Sequence, residues 1–288
     1  MKQSIPVVFF GSDKFVLPIV EVLSKNFDLS LILTTEHDPH GPVTSFAKQN
    51  NIKLVDVKKF DQNLKSLILN HKSDFAVLAY FGLILSKQIL NIFPKGIINI
   101  HPSLLPKYRG PTPGQAAILA GDKETGVTII KLDQEVDHGP ILAQEKTKIE
   151  ETDTAESLYD RLFKQGAKLL AQTLPDYLSD KLQLQEQNHE KATFTDQLNR
   201  QSGYIDPKKF QISNFKFQIE SMIRAYYPWP GVWTHLRLRS GGQAKIVKFL
   251  PNGKIQVEGK KPMSYKDFLN GYPEIKDKIH LLISEDTA

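Results

Sequence analysis

A short apolar segment that ends in two polar side chains constrains the fold of this chain most strongly. Residues 96–101 read Gly-Ile-Ile-Asn-Ile-His, and such an apolar run is typical of a buried strand. Asn99 and His101 are two residues apart, so on a strand they point to the same face. Open α/β sheets bind ligands at the carboxyl ends of their strands. The segment therefore predicts a functional site at the end of a sheet strand.

A third polar residue follows on a nearby loop. Residues 126–131 predict another strand, which leads into an acidic loop that carries Asp137. An asparagine amide can donate to a developing oxyanion, a histidine can move a proton, and an aspartate can orient the histidine. Asn99, His101 and Asp137 could thus catalyse acyl transfer to an amine. Such triples also arise without a function, as polar residues at a strand end and a surface aspartate, and the residue types alone leave both interpretations open.

The start of the chain predicts an α/β unit without a dinucleotide site. Residues 6–12 read as a buried strand, an amphipathic helix follows, and residues 29–34 predict a second strand, as in a βαβ unit. The turn at Gly11 and Ser12 lacks the G-x-G-x-x-G pattern, which argues against a nicotinamide cofactor. The loop residues His37, Asp38 and His40 could suggest a metal, but so short a spacing is weak evidence and we expect none.

Composition excludes some classes of protein. The chain has 288 residues and no cysteine, which excludes disulfides, thiolate metal ligands and a cysteine nucleophile. No stretch approaches the roughly 20 apolar residues of a membrane span, and we expect a cytoplasmic protein without a secretory leader. Residues 201–288 hold 14 Lys and Arg against 8 Asp and Glu, although the whole chain carries only +5. This excess predicts either an anionic partner or a solvated basic surface.

The motif around these residues resembles that of a known family. Asn99-Ile-His101-Pro-Ser-Leu-Leu-Pro, followed by Asp137-x-Gly139-Pro140, is similar to the signature of the folate-dependent formyltransferases. The resemblance implies a Rossmann-like α/β formyltransferase domain with a mostly parallel sheet over residues 1–183. It further implies a linker at 184–203 and a small OB-like β-barrel domain at 204–288. The family's catalytic residues fall on Asn99, His101 and Asp137.

The resemblance also implies a substrate and a set of binding residues. The formyl donor would be 10-formyltetrahydrofolate, and the predicted folate-binding residues are Ile84, Leu85, Ser103, Leu104, Leu105, Pro106, Asp133, Val136 and Gly139. In the family the bond matching Leu105–Pro106 is cis, so we predict a cis bond here. The landmark at residues 224–231 predicts a turn in which Trp229 fills the core.

The members that formylate methionyl-tRNA are the most similar in their C-terminal landmarks. The resemblance thus implies transfer of formyl to the α-amine of initiator methionyl-tRNA by a monomeric enzyme. The predicted tRNA-binding residues are Arg224, Arg237, Arg239 and Lys245. Many such enzymes carry a basic insertion in the loop near residue 40, whereas here no Lys or Arg occurs between Lys25 and Lys48. Two alternatives remain: a formyltransferase acting on a nucleotide-linked amino sugar, and an RNA-binding module without catalysis.

Overall fold

A computed structural model describes residues 4–35, 38–208 and 215–275, and the helix at 215–217 is described by its backbone only. The prediction that residues 276–288 are disordered and the metal-ligand role weighed for His37 lie outside these residues. Within the described ranges, no helix has the length and apolar character required to cross a bilayer.

The first compact unit is built on a seven-stranded sheet. Its strands are Pro6–Gly11 (β1), Asp28–Thr34 (β2), Lys53–Asp56 (β3), Phe75–Ala79 (β4), Gly96–His101 (β5), Glu124–Lys131 (β6) and Ile141–Lys148 (β7). The strand order is β3-β2-β1-β4-β5-β6-β7. The first five strands are parallel, and β6 and β7 run antiparallel to their neighbours. The predicted mostly parallel, Rossmann-like sheet is confirmed.

Helices connect these strands. The helices up to β6 are Leu17–Asn26 (α1), Pro42–Gln49 (α2), Gln62–Asn70 (α3), Lys87–Leu90 (α4) and Pro113–Ala120 (α5), and Ala155–Leu178 (α6) follows β7. No sequence pattern predicts α2 or α4, because both are short and lie beside Pro- and Gly-containing loops. The spacing of Leu158, Leu162, Leu169, Leu170, Leu174 and Leu178 predicts one apolar face of a long helix. This face is confirmed, since Leu158, Leu162, Leu170 and Leu174 are fully buried.

The two faces of β5 have different surroundings. Ile97 joins an apolar cluster with residues of β1, β2 and β4, including Val8, Leu33 and Leu78. Ile98 and Ile100 point to the other face, and a Cβ at Gly166 of α6 would press against Ile100. Helix α6 therefore packs closely on the back of β5, while Asn99 and His101 point to the opposite face.

A local signal at the start of α6 is wrong by one residue. Asp153, with Glu156 three residues later, predicts a helix start with Asp153 as the N-cap, but the helix begins at Ala155 and Thr154 takes the capping position. The Thr154 hydroxyl accepts from the Ser157 N–H at 3.2 Å, and the Ser157 hydroxyl accepts from the Thr154 N–H at 3.0 Å. Asp153 instead accepts from the N–H of Glu150 at 2.8 Å and closes the preceding turn.

The second compact unit contains a small antiparallel sheet. Its elements are the helix Phe215–Ala225 (α7), the strands Val232–Arg237 (β8), Ala244–Leu250 (β9), Lys254–Val257 (β10) and Met263–Ser264 (β11), and the helix Tyr265–Gly271 (α8). The strand order is β11-β10-β9-β8. These four strands agree with the predicted C-terminal β domain.

One residue of the second unit contradicts its predicted role. Trp229 was expected to fill the core, but 57% of its surface is exposed. The neighbouring Tyr226 is buried instead, and its carbonyl accepts from the N–H of Gly231 at 2.8 Å. The turn is thus anchored through its two ends, and Trp229 points outwards from its middle.

The compact units divide the chain in a way that sequence order does not display. The first comprises residues 1–113, 124–148 and 159–195, and the second comprises 114–123, 149–158 and 196–288. The predicted domain boundaries at residues 183 and 203 remain a prediction.

The aromatic cluster on α6 allows a test of the first unit's core. Phe163 is fully buried, and the rings of Phe15, Tyr80 and Tyr159 lie about 6 Å from its ring. We expect Phe163→Ala to lower the free energy of unfolding by about 3–5 kcal/mol, because it leaves a cavity among these rings. Urea denaturation measures this change. Lys168→Ala on the exposed side of the same helix is the control and should change it by less than about 0.5 kcal/mol. Equal values for the two variants would contradict the assignment of this core.

Candidate active site

The three predicted polar residues converge on one carboxylate. The side-chain amide of Asn99 donates to Oδ1 of Asp137 at 3.0 Å, and the backbone N–H of Gly110 donates to Oδ2 at 2.8 Å. Nδ1 of His101 lies 3.5 Å from the same Oδ2. Asn99 and His101 are about 5% exposed, and the side chain of Asp137 is 12% exposed. The carboxylate is therefore largely removed from water and surrounded by donors.

The hydrogen-bond partners of His101 define how its ring can donate. Nε2 lies 2.9 Å from the carbonyl oxygen of Tyr108, which can only accept, so Nε2 carries a proton. Nδ1 faces the carboxylate of Asp137, which accepts when it is ionised. A doubly protonated ring thus donates in both directions, whereas a singly protonated ring donates only to Tyr108.

The loop that carries Asp137 has an unusual backbone. Asp137 has φ +48°, in the left-handed region that residues with a side chain seldom adopt. Two residues later, a Cβ at Gly139 would overlap the backbone carbonyl of Lys131, so the loop runs directly against the end of β6. The glycine in the Asp137-x-Gly139 motif therefore has a steric explanation.

The predicted folate-binding residues occupy several environments. Ile84 is 80% exposed and Val136 is 49% exposed, whereas Leu85 packs against the apolar cluster that contains Ile97. Leu105 packs on Ile130 and Ile141. The remaining predicted residues are Ser103 and Gly139, which are buried, and Leu104, Pro106 and Asp133, which are half-buried. The predicted cis bond between Leu105 and Pro106 is confirmed.

A cavity of about 380 Å³ lies beside β5, within the size range of small-molecule sites. Its wall includes Leu90, Ile97, Leu132 and Asp133. Ile97 is two residues before Asn99 and therefore points to the same face of the sheet. Of the predicted folate-binding residues only Asp133 lines this cavity. Leu90, Ile97 and Leu132 were not predicted, because a leucine or isoleucine in the core carries no sequence signal of a ligand.

Two buried residues that were not predicted support the site, Arg109 after β5 and Gln187 after α6. Arg109 is 3% exposed and Gln187 is 5% exposed. Arg109 donates to Oε1 of Gln187, and the Gln187 amide donates to backbone carbonyls of the loop around Asp137. Nothing local marks Gln187, because it lies in a polar, aperiodic stretch that resembles a linker.

The four predicted tRNA-binding residues do not form one surface. Arg237 on β8 is exposed, and its neighbours on the same face are Trp233 and His235. Leu236 pairs with Lys245, so Lys245 belongs to the opposite, core-facing series of the sheet. Arg239 follows β8 and lies over the ring of Tyr272 at 6.0 Å. Arg224 is half-buried and donates to the carbonyl of Asp153 at 3.0 Å, so its guanidinium already has a structural contact.

Further cations and a cluster of aromatic rings lie on the same side of the sheet as Arg237. Lys248 pairs directly with Trp233 and therefore shares its face. The ring of Trp233 lies 4.9 Å from that of Tyr204 and 5.3 Å from that of His235, and the guanidinium of Arg200 lies 5.4 Å from it. We call Arg200, Tyr204, Trp233, His235, Arg237 and Lys248 the outer face of the C-terminal sheet.

In the described part of the chain, no group of three His, Cys, Asp or Glu side chains is arranged to hold a metal ion.

A site of this kind, at the carboxyl end of β5 in a mostly parallel sheet, defines an enzyme class once the comparison with known families is added. The family model described as formyl transferase matches residues 17–174, a span that includes Asn99, His101 and Asp137. The chain belongs to the formyl transferase family, and the resemblance in its motif is confirmed.

Individual relatives place the chain within the family. A methionyl-tRNA formyltransferase of Chloroflexus aurantiacus is 38% identical over 252 residues, covering 84% of this chain and 79% of the relative. Among solved structures, a 4-N formyltransferase from Francisella tularensis has a TM-score of 0.65 at 20% identity, covering 85% of this chain and 98% of that one. An N-formyltransferase from Helicobacter canadensis, in complex with folinic acid and dTDP-3-aminofucose, has a TM-score of 0.60 at 18% identity, covering 88% and 95%. The two structures share the fold with this chain.

The close approach at Gly139 generates a testable prediction. We expect Gly139→Ala to lower the free energy of unfolding by about 1–3 kcal/mol, because the methyl group would force the loop away from the Lys131 carbonyl. Gly271→Ala is the matched control, since a Cβ there meets nothing within 4 Å. Urea denaturation compares the two variants. A stability of Gly139→Ala equal to that of the control would contradict the described loop packing.

Proposed function

We propose that this protein transfers the formyl group of 10-formyltetrahydrofolate to the α-amine of initiator methionyl-tRNA. The observation that carries the proposal is the convergence of Asn99, His101 and Gly110 on the carboxylate of Asp137. The choice of acceptor is supported by the 38% identity to a methionyl-tRNA formyltransferase. We further propose that the protein acts as a monomer.

The proposed roles follow from the hydrogen-bonding capacity of each side chain. When an amine adds to a formyl carbon, negative charge develops on the formyl oxygen. The Asn99 amide has two N–H groups and uses one on Asp137, so the other is available to that oxygen. A doubly protonated His101 supplies positive charge beside it. One such donor typically contributes about 3–4 kcal/mol of transition-state stabilisation.

In this proposal Asp137 orients the ring of His101 and accepts a proton from the attacking amine. Its Oδ2 faces Nδ1 of His101, so the carboxylate stabilises the charged imidazole. The neutral amine forms a bond to the formyl carbon and loses one proton, which Asp137 can accept directly or through one water molecule. The bond between the formyl carbon and N10 of the folate then breaks, and N10 takes up a proton as tetrahydrofolate leaves. The carboxylate thus links activation of the amine with stabilisation of the oxyanion.

The cavity beside β5 is the proposed site of the folate ring. It has apolar walls at Leu90, Ile97 and Leu132 and a polar rim at Asp133, the mixture expected for a flat heterocycle. The predicted residues Ile84, Leu85, Leu104 and Val136 remain proposed contacts for the donor. In the cavity wall, Ile97 lies two residues before Asn99 on the same face of β5. A donor bound in the cavity would therefore hold its formyl group towards the catalytic side chains.

The outer face of the C-terminal sheet is the proposed contact for the acceptor's nucleic acid. It combines the cations Arg200, Arg237 and Lys248 with the rings of Tyr204 and Trp233. Cations neutralise phosphates, and aromatic rings stack on bases, so this combination suits an RNA better than a nucleotide-linked sugar. Arg239 stays part of the proposal, whereas Lys245 is expected to contribute little because it faces the other way.

The catalytic role of Asp137 has a direct test. We expect Asp137→Asn to lower formylation of methionyl-tRNA by at least about a hundredfold, because the amide cannot accept a proton from the amine. Initial rates with 10-formyltetrahydrofolate as donor measure the effect. Asp176→Asn, an exposed position on α6, is the control and should keep the wild-type rate.

The same assay examines the acceptor. Wild-type protein that formylates amino-sugar nucleotides but leaves methionyl-tRNA unmodified would overturn the proposed acceptor. Near-normal turnover of Asp137→Asn would remove Asp137 from the mechanism.

The nucleic-acid face has a separate test. We expect the affinity for methionyl-tRNA to fall steeply with salt, because each phosphate contact adds about −0.9 to the slope of log affinity against log salt. Arg237→Glu should weaken binding and flatten that slope, and Lys245→Glu is the matched control on the opposite face. A salt titration by filter binding measures both. Identical slopes for Arg237→Glu and the wild type would mean that Arg237 does not contact the tRNA.

A further inference from the structure

The backbone of Asp137 needs support from outside its own loop. A left-handed conformation is unfavourable for a residue with a side chain. Such a conformation persists only where surrounding contacts hold it in place. The contacts to the carboxylate come from Asn99 and Gly110, and they fix the side chain. The contacts to the backbone come from a different part of the chain.

Gln187 holds the backbone of the loop. Its Nε2 donates to the carbonyl of Asp137 at 2.9 Å and to the carbonyl of Gly139 at 2.8 Å. Both hydrogens of the amide are thus used on the two carbonyls that flank His138. With 5% of its surface exposed, Gln187 makes these bonds with little competition from water. The amide therefore fixes the path of the chain on both sides of the turn.

Arg109 determines the orientation of the Gln187 amide. Nη2 and Nε of Arg109 donate to Oε1 of Gln187 at 2.7 and 3.2 Å. An amide rotated by 180° would place its NH₂ group against this cation, where no acceptor remains for it. Nη2 also donates to Nδ1 of His189 at 2.8 Å, and the ring of His189 stacks on that of His138 at 3.9 Å. The segment 187–189 thus contacts the loop in two ways, through the hydrogen bonds of Gln187 and through the stacking of His189 on His138.

The same arginine also lies between the backbone groups that contact the catalytic side chains. The preceding residue, Tyr108, accepts from His101, and the following residue, Gly110, donates to Asp137. Backbone bonds of Arg109 to Thr193 and Thr195, each 2.8 Å, hold this segment in place. A shift of Arg109 would therefore alter the position of the Asp137 carboxylate and of the His101 ring together.

We propose that Arg109 and Gln187 are positioning residues for formyl transfer, which hold Asp137 in its left-handed conformation and thereby set its distance from Asn99 and His101. The proposal rests on the proposed catalytic role of Asp137. Neither residue lines the cavity beside β5, so the pair affects donor binding only through the loop that carries Asp133.

Gln187→Glu is the sharpest test. The variant keeps the size of the side chain and its contact with Arg109, but it replaces the NH₂ donor by an oxygen that faces two carbonyls. We expect kcat to fall about 10- to 100-fold, the scale of a small misplacement of a reacting group. KM for 10-formyltetrahydrofolate should change less than kcat, because the lost bonds hold the backbone at Asp137 and Gly139 and not at Asp133 in the cavity wall.

A matched control lies two residues away. Gln185→Glu makes the same chemical change on an exposed side chain of the same segment, whose backbone pairs with Ile141. It should retain wild-type kcat. If Gln187→Glu does not fold, Arg109→Lys replaces it, because lysine keeps the charge but lacks the fork that holds Gln187 and His189 together. Wild-type kcat in a folded Gln187→Glu or Arg109→Lys protein would overturn the proposal.

A double variant shows whether the effect passes through Asp137. In the Asp137→Asn background, Gln187→Glu should lower kcat by less than about threefold further, because residues that act as one unit are not additive. A loss as large as in the wild-type background would mean that Gln187 acts elsewhere, and would overturn the proposal.

Hydrogen exchange provides a readout that does not depend on the acceptor. The backbone amides of residues 133–139 should exchange faster in Gln187→Glu than in the wild type and in Gln185→Glu, while those of β1 and β4 stay unchanged. Unchanged exchange in the loop would overturn the proposal even if kcat fell. Conversely, faster exchange together with near-normal turnover of Asp137→Asn would contradict the proposed catalytic role of Asp137. It would leave intact the inference that Gln187 and Arg109 hold the loop.

Discussion

The carboxylate of Asp137 is the group on which the arrangement of this site depends. A buried carboxylate is unfavourable unless donors replace the water that it has lost, and charge-assisted hydrogen bonds are the strongest of these replacements. The donors here come from separate parts of the first unit: Asn99 on β5 and the backbone of Gly110 on the following loop, with His101 close by. The hydrogen bonds that this carboxylate requires therefore bring together the loop, the strand and the side chains of Asn99 and His101.

The sheet makes that arrangement possible by the way its strands change direction. Strand β5 is parallel to β4 and antiparallel to β6, so the chain that leaves β5 at His101 returns along its edge. The end of β6 then lies beside the start of β5, and the loop at 133–139 folds back from there towards the polar pair. The segment after α6 completes the site by pairing with β7 at Ile141 and with the backbone of Arg109. Residues distant in sequence thus hold both ends of the catalytic loop.

The two proposed tasks fall in different compact units. Acid–base groups and the cavity beside β5 belong to the first unit, whereas cations and half-buried rings gather on the outer face of the C-terminal sheet in the second. This division suits a reaction that joins a small donor to a large, charged acceptor. In the proposed function, phosphate contacts supply affinity and the buried hydrogen bonds around Asp137 supply the chemistry.

Sequence reasoning succeeded where a local rule also governs the folded protein. The apolar run at 96–101 predicted β5, and a period of two placed Asn99 and His101 on one face. The family motif added Asp137, which the spacing alone could not have connected with them. Local rules failed where the surroundings decided the outcome: an aromatic ring usually prefers the core, but Trp229 is exposed while the neighbouring Tyr226 is buried. The cap of α6 moved by one residue for a similar reason, since Asp153 is engaged by the preceding turn.

The sequence by itself therefore determined the strands, their alternation with helices, the catalytic residue types and the family. These properties follow from short-range periodicity and from a contiguous motif, which the chain carries regardless of its final packing. Only the tertiary structure decided that Gln187 and Arg109 hold the catalytic loop, that Leu90 and Leu132 line the cavity, and that Lys245 points away from Arg237. Each of these depends on which residues meet across the fold or on the register of two strands, and a shift of one residue in that register would reverse the face to which every side chain points.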